Sequence, residues 1–132
     1  ERDDVDVGGG RMSTPAVQLL NAAVTGTADA AGGLTLRIGP DSAKGPARWS
    51  VTRLGVRNED PARRGQAPVP TCNVYLDGES AADLVDGTYD GSFDFSDCAL
   101  RLQRGQALVA VWAGALPGDR LTLSVTGVKE GT

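Results

Sequence analysis

The amino-acid sequence predicts an all-β fold: an antiparallel β-sandwich of jelly-roll-like type, with about seven or eight strands. Three observations carry this. Apolar and polar residues alternate with a period of two in several short segments. Turn signals recur every ten or so residues, the spacing of a sandwich. The chain is rich in glycine, with 18, and its seven prolines are spread along it, which suits many short strands joined by tight turns. Neither heptads, helical repeats nor an internal duplication is visible.

In chain order, Glu1 to Pro15 is charged and then glycine-rich, without periodicity, and reads as a flexible N-terminal arm over 1–15. Residues 16–132 form the single sandwich domain. Ala16 to Val24 is a short apolar run with a β-branched end, read as a strand. Leu34, Leu36 and Ile38 alternate with Thr35 and Arg37 in a half-buried strand that Gly39-Pro40-Asp41 stops. In Trp49 to Arg57, Trp49 and Val51 share one face by simple alternation, whereas Leu54 and Val56 share the other. A β-bulge near Arg53 explains the change, because one extra residue flips the facing of all that follow. Asn58 to Pro70 reads as a polar excursion and a possible interaction surface.

Thr71 to Asp77 is the clearest strand, with Cys72, Val74 and Leu76 on one face and Asn73 and Tyr75 on the other. Asp77-Gly78 marks a turn. Ser80 to Val85 suits one short helical turn, with Ser80 as N-cap and Asp83 at its third position. Asp86 to Asp97 is polar and reads as a loop; strand character returns at Ala99 to Leu102. Arg104-Gly105 makes the next turn. Ala107 to Ala113 is apolar on both faces and is therefore expected as a central, covered strand. Pro117-Gly118 turns the chain into Leu121, Leu123 and Val125, which alternate with Thr122, Ser124 and Thr126.

Composition narrows the chemistry. The chain has 132 residues, which fits one domain, and a net charge of −4, which argues against nucleic-acid binding. No segment approaches the apolar run of roughly 18 residues needed to cross a bilayer. The chain begins at Glu1 without a methionine, an expectation that a start or leader has been removed, so the compartment stays open. There is no histidine, which removes the commonest general base and the commonest zinc ligand. A serine nucleophile would need Lys44 or Lys129 as its base, and both lie in loop or tail contexts. No enzyme activity and no catalytic residue are therefore expected.

Asp86, Asp90, Asp94 and Asp97 cluster in DGTYDGSFDFSD. Four carboxylates suit a calcium ion, and two can act as acid and base on a glycoside, with Tyr89, Phe93 and Phe95 nearby. The spacing departs from the EF-hand pattern, and Asp and Gly are good turn formers, so turn chemistry is the expected use, with no cofactor and no metal; calcium is the alternative. Among the aromatics, Trp49 and Trp112 are assigned to the core, whereas Tyr75 and Tyr89 are the candidates for ligand contact. Cys72 and Cys98 form a disulfide or sit buried as small hydrophobes; without a known compartment the second is the default.

The segment NVYLDGESAADLVDGTYDGSFDFSD, with LRLQRGQALVAVWAGALPGDRLTLSVTG after it, resembles a small β-sandwich module found among structural proteins of tailed phages that infect actinobacteria. The likeness lies in the strand Val74-Tyr75-Leu76, the loop Leu84 to Tyr89, the Gly91/Asp94/Asp97 stretch, the Gly105-Gln106 turn, a strand ending in Trp112, and Pro117-Gly118-Asp119 before the last strand. It spans roughly Trp49 to Gly127 and transfers no catalytic residue. Arginine usage over lysine agrees with a GC-rich host. The resemblance implies a virion component, decorating or stabilising the capsid or tail exterior, assembled in the host cytoplasm. Its expected partners are itself, as a homo-oligomer with three-fold closure foremost, and other virion proteins, with neither nucleic acid nor membrane. The alternative is a secreted or virion-borne carbohydrate-binding adhesin, with a glycan as ligand.

Overall fold

A computed structural model describes residues 17–40, 48–78, 80–85 and 87–130. The expected N-terminal arm, Lys44 and Asp86 lie outside the described residues. The strands are β1 (Val17–Thr27), β2 (Leu34–Ile38), β3 (Arg48–Asn58), β4 (Thr71–Leu76), β5 (Tyr89–Asp90), β6 (Phe93–Gln103), β7 (Leu108–Ala113) and β8 (Arg120–Glu130). Single 3-10 turns occur at Pro61–Arg63 and Ala81–Asp83, and there is no α-helix among the described residues.

The strands form two four-stranded antiparallel sheets, ordered β1-β8-β3-β6 and β2-β7-β4-β5. Strand 1 pairs with 8, 2 with 7, 3 with 6 and 4 with 5. Nested pairing of this kind is one long hairpin rolled up so that successive pairs fall in opposite layers, which is the jelly roll. Leu20, Val51, Leu54, Val56, Leu102, Leu121, Leu123 and Val125 fill the space between the layers from the first sheet. Leu36, Cys72, Val74, Leu108, Ala110 and Trp112 meet them from the second. Burial of each large apolar side chain contributes about 1.5–3 kcal/mol.

The expected bulge is present: the pairing of β3 with both neighbours shifts register between Val51 and Arg53. Thr52 is the extra residue, and it returns Val51 and Leu54 to the same, buried face. Across the bulge stands Gly127 (φ 156°), where a β-carbon would come within 2.0 Å of the Ser50 carbonyl oxygen. Only glycine lets the two backbones approach there. The central position expected for the run before Ala113 is also found, since β7 lies between β2 and β4. The Pro117-Gly118 turn closes with Asp119 N–H donating to Leu116 O at 3.0 Å, with Gly118 at φ 88°, as a type II turn requires.

Two boundaries differ from expectation. β1 continues to Thr27 because its pairing with β8 runs the whole length of both strands. The stretch from Asp86 to Asp97, read as loop, contains β5 and the first half of β6. Its polar composition conceals a period of two whose apolar residues, Phe93 and Phe95, are the exposed ones. The excursion after Asn58 is anchored at its ends and exposed between them: Asn58 and Pro70 are buried, whereas 60–62 and 65–69 are exposed. Asn58 is buried, its Oδ1 accepts from Asp60 N–H (2.9 Å), and its own N–H donates to Ser92 O (2.7 Å).

Candidate functional site

β6 carries its side chains the wrong way round for half its length. Leu100 and Leu102 face the core, as apolar residues should. Before them, Phe93 and Phe95 point to solvent with 50% and 54% of their surface exposed, while Asp94 and Ser96 point inward. The inward polar groups are satisfied. Asp94 accepts from the backbone N–H of Asp90 (3.1 Å) and of Phe95 (2.8 Å), and Ser96 Oγ shares a 2.8 Å hydrogen bond with Tyr89 Oη. Leaving these groups unpaired would cost roughly 1–3 kcal/mol each. The two phenylalanines thus lie on the outer face of the first sheet by construction.

Neighbouring strands complete the surface. In register, Phe95 stands beside Gly55 of β3, and Gly55 beside Ser124 of β8; Phe93 stands beside Arg57, and Arg57 beside Thr122. Gly55 presents no side chain, which leaves a depression of about 140 Å³ bounded by Arg53, Arg57, Phe93, Phe95, Ser124 and Thr126. The Arg53 guanidinium carbon lies 4.9 Å from the centre of the Phe95 ring, and its Nε donates to Asp97 Oδ1 at 2.9 Å. Arg64 lies 5.1 Å over Phe93 and donates to Asn58 O at 2.9 Å. Each cation–π contact at such exposed sites contributes about 0.5–1 kcal/mol and, more usefully, holds the ring and the guanidinium in place.

A polar network fixes the far side. Arg57 Nε and the Thr122 hydroxyl both donate to Glu59 Oε2, at 2.9 and 2.6 Å, and Thr25 and Thr122 hydroxyls stand 2.7 Å apart. The Thr122 hydroxyl foremost, then Arg57 and Arg120, hold the Glu59 carboxyl below its ordinary range against the opposing effect of burial. Near Phe93, the Asp90 carboxylate accepts from Ser92 N–H (2.8 Å) and Ser92 Oγ–H (2.7 Å), while Ser92 Oγ accepts from Gly65 N–H (2.9 Å). Burial pushes Asp90 up, but the Ser92 and Phe93 donors outweigh it and leave the carboxyl below its usual value. The loop after Asn58 is thereby tied to the turn that launches β6, so Arg64 and Phe93 are positioned together.

The sequence-derived candidates fall differently. Tyr89 is corrected: it is 95% buried, packed in the core with its hydroxyl spent on Ser96, because β5 turns it inward beside Cys72. Tyr75 is half-buried on the outer face of the other sheet, between Val109 and Leu84, away from the Phe93–Phe95 surface. Asp90 and Asp94 serve the turn and the strand start, whereas Asp97 forms the cross-strand ion pair with Arg53. Among the described residues, no group of three or more His, Cys, Asp and Glu side chains is placed to hold a metal ion. Trp112 is core, with Nε1 donating to Gly91 O at 2.9 Å, and Trp49 packs against the core half-buried. Cys72 and Cys98 stand on opposite sheets and form no disulfide; burial pushes the Cys72 thiol up to about 12, so it behaves as a small hydrophobe.

Sequence reasoning placed Phe93 and Phe95 only beside the carboxylates and Arg53 only at the bulge, and did not single out Gly55, Arg57 and Arg64. The signal was present in FDFSD, an apolar–polar alternation, but its apolar face is the solvent face. No protein-family model matches the chain, and no curated protein matches it at a significant level.

Proposed function

We propose that the chain is a non-enzymatic structural protein of a tailed-phage particle, and that it grips its neighbours through the outer face of the β1-β8-β3-β6 sheet. One observation carries the binding part: in β6 the aromatic residues face solvent and the polar residues face the core. A strand built for stability alone would do the reverse, because two half-exposed phenylalanines each forgo roughly half of the 1.5–3 kcal/mol that full burial contributes. Inversion of that kind, with the inward Asp94 and Ser96 hydrogen-bonded, supports the reading of a surface whose burial comes from a partner. Ordered arginines beside the rings fit this, since aromatic residues and arginine dominate the energetic centres of interfaces. The lack of histidine agrees with a role in contact rather than catalysis. The phage assignment rests on the resemblance over Trp49 to Gly127, and the jelly roll is a fold that capsid proteins and lectins share.

The test is co-sedimentation of the purified protein with phage capsids and tails that lack it. Binding that Phe95→Ser abolishes supports the reading. No affinity for either structure, or affinity indifferent to Phe95→Ser, overturns it. The same rings support a second reading, a carbohydrate-binding module, because exposed aromatic faces stack on sugar rings. Glycan binding lost in Phe95→Ser but retained in Tyr75→Ala would favour that reading and place its site on this face.

A further inference from the structure

We infer that the partner on this face is, first, a second copy of the same chain, with Leu19 of each copy seated in the Gly55 depression of the other. The inference deepens the assembly reading above and rests on it for the identity of the binding face.

Seven large apolar side chains are exposed among the described residues. The four most exposed are Leu19 (84%), Val17 (62%), Phe95 (54%) and Phe93 (50%). All four lie on the outer face of one sheet, at opposite corners. Phe93 and Phe95 occupy the start of edge strand β6, and Val17 and Leu19 occupy the start of edge strand β1. On β1 the facing is set by Leu20, which is buried, so Leu19 and Val17 point outward beside Val128 and Glu130 of β8. One corner is thus a projecting aliphatic group, and the other is a recess walled by two rings.

A knob and a recess on the same face satisfy each other by a single two-fold rotation. In an isologous contact, residue i meets j and j meets i, so one partner fills both corners at once. The recess, about 140 Å³, matches the size of a single branched or aromatic side chain, since cavities of about 150 Å³ accept a benzene-sized group. Area agrees as well. All four strands of the sheet are 11 residues long. At roughly 3.3 Å per residue and roughly 4.8 Å per strand, the face spans on the order of 700 Å². A standard stable interface takes about 800 Å² per partner. Because both corners share one face, the pairing closes at two copies and not three.

Sedimentation equilibrium tests this directly. The wild-type protein is expected at twice its 13.6 kDa monomer mass at concentrations on the order of 100 μM. Leu19→Glu should raise the dissociation constant by roughly 30-fold or more, the effect of a central anchor. Leu19 is so exposed in the single chain that this change leaves the fold intact, which circular dichroism checks. The double variant Leu19→Cys/Ser124→Cys should form a covalent dimer on oxidation that neither single variant forms. Within one chain the two sites cannot bridge: Leu19 pairs with Val128, four residues from Ser124, a separation of roughly 13 Å against a limit of about 7 Å. A monomeric wild type, a dimer indifferent to Leu19→Glu, or no covalent dimer overturns the pairing. A monomer whose particle binding still depends on Phe95 would overturn the pairing alone and leave the assembly reading standing. A Leu19-dependent dimer without affinity for particles would do the opposite.

Discussion

β6 and β8 flank the same strand, β3, in the same sheet, yet they distribute their side chains in opposite ways. β8 turns Leu121, Leu123 and Val125 to the core and Thr122, Ser124 and Thr126 outward. The first half of β6 turns Asp94 and Ser96 inward and Phe93 and Phe95 outward. β8 is what a strand does when only the fold acts on it. β6 departs from that pattern only where it borders the Gly55 depression, and from Leu100 onward it conforms. The inversion is therefore local, and it coincides with the recess, the ring-stacked arginines and the hydrogen bonds of Asp94 and Ser96 that make it tolerable.

The widest separation between the two strands is expected in stability. Leu123→Ala, on β8, should lower unfolding free energy by about 2–5 kcal/mol in urea denaturation, because Leu123 is fully buried and leaves a cavity. A smaller loss would mean that the sheets close over the gap. Acid should produce an intermediate effect through the carboxylates around the recess. Glu59 and Asp90 both titrate below their ordinary values of 4.5 and 3.8 in the folded chain. Their contribution is fully present above those ordinary values and is lost as pH falls through the depressed folded ones. The melting temperature should therefore fall below about pH 4.5. Glu59→Gln should lower it at neutral pH and flatten the acid slope. An unchanged slope in that variant would remove the Thr122–Glu59–Arg57 network from the account. The smallest change is expected for Phe95→Ala, on β6: a loss of about 1 kcal/mol or less in the isolated single chain, the scale of its contact with Arg53, with association lost. A Phe95→Ala chain as unstable as Leu123→Ala would erase the distinction between the two strands.

Legibility in the sequence followed the same division. Where alternation ran apolar-in, as in β2, β4 and β8, residue types alone located the strand and its buried face. The bulge near Arg53 was legible because a phase change in the pattern has only one cheap explanation. Tyr89 was misplaced, and Phe93 and Phe95 were named beside the carboxylates but not as an outer surface, for one reason. A period of two identifies two faces but not which of them is inside, and reading the apolar face as the inner one fails where polar groups are satisfied within the core. In the Asp90 to Asp97 cluster the hydrogen bonds of Asp90 and Asp94 are local, to Ser92, Asp90 and Phe95, whereas the Asp97 partner Arg53 is distant in sequence and is brought to it by the fold.

Local physics thus determined the all-β class, the turns, the central place of β7 and most of the core, since each depends on the preferences of residues near one another in the chain. Tertiary structure alone decided the jelly-roll pairing and the four-strand face that gathers Leu19, Gly55, Phe93 and Phe95. Those relations join residues tens of positions apart, and hydrogen bonding between strands, which any backbone can make, leaves the choice of neighbour to the packing of the whole.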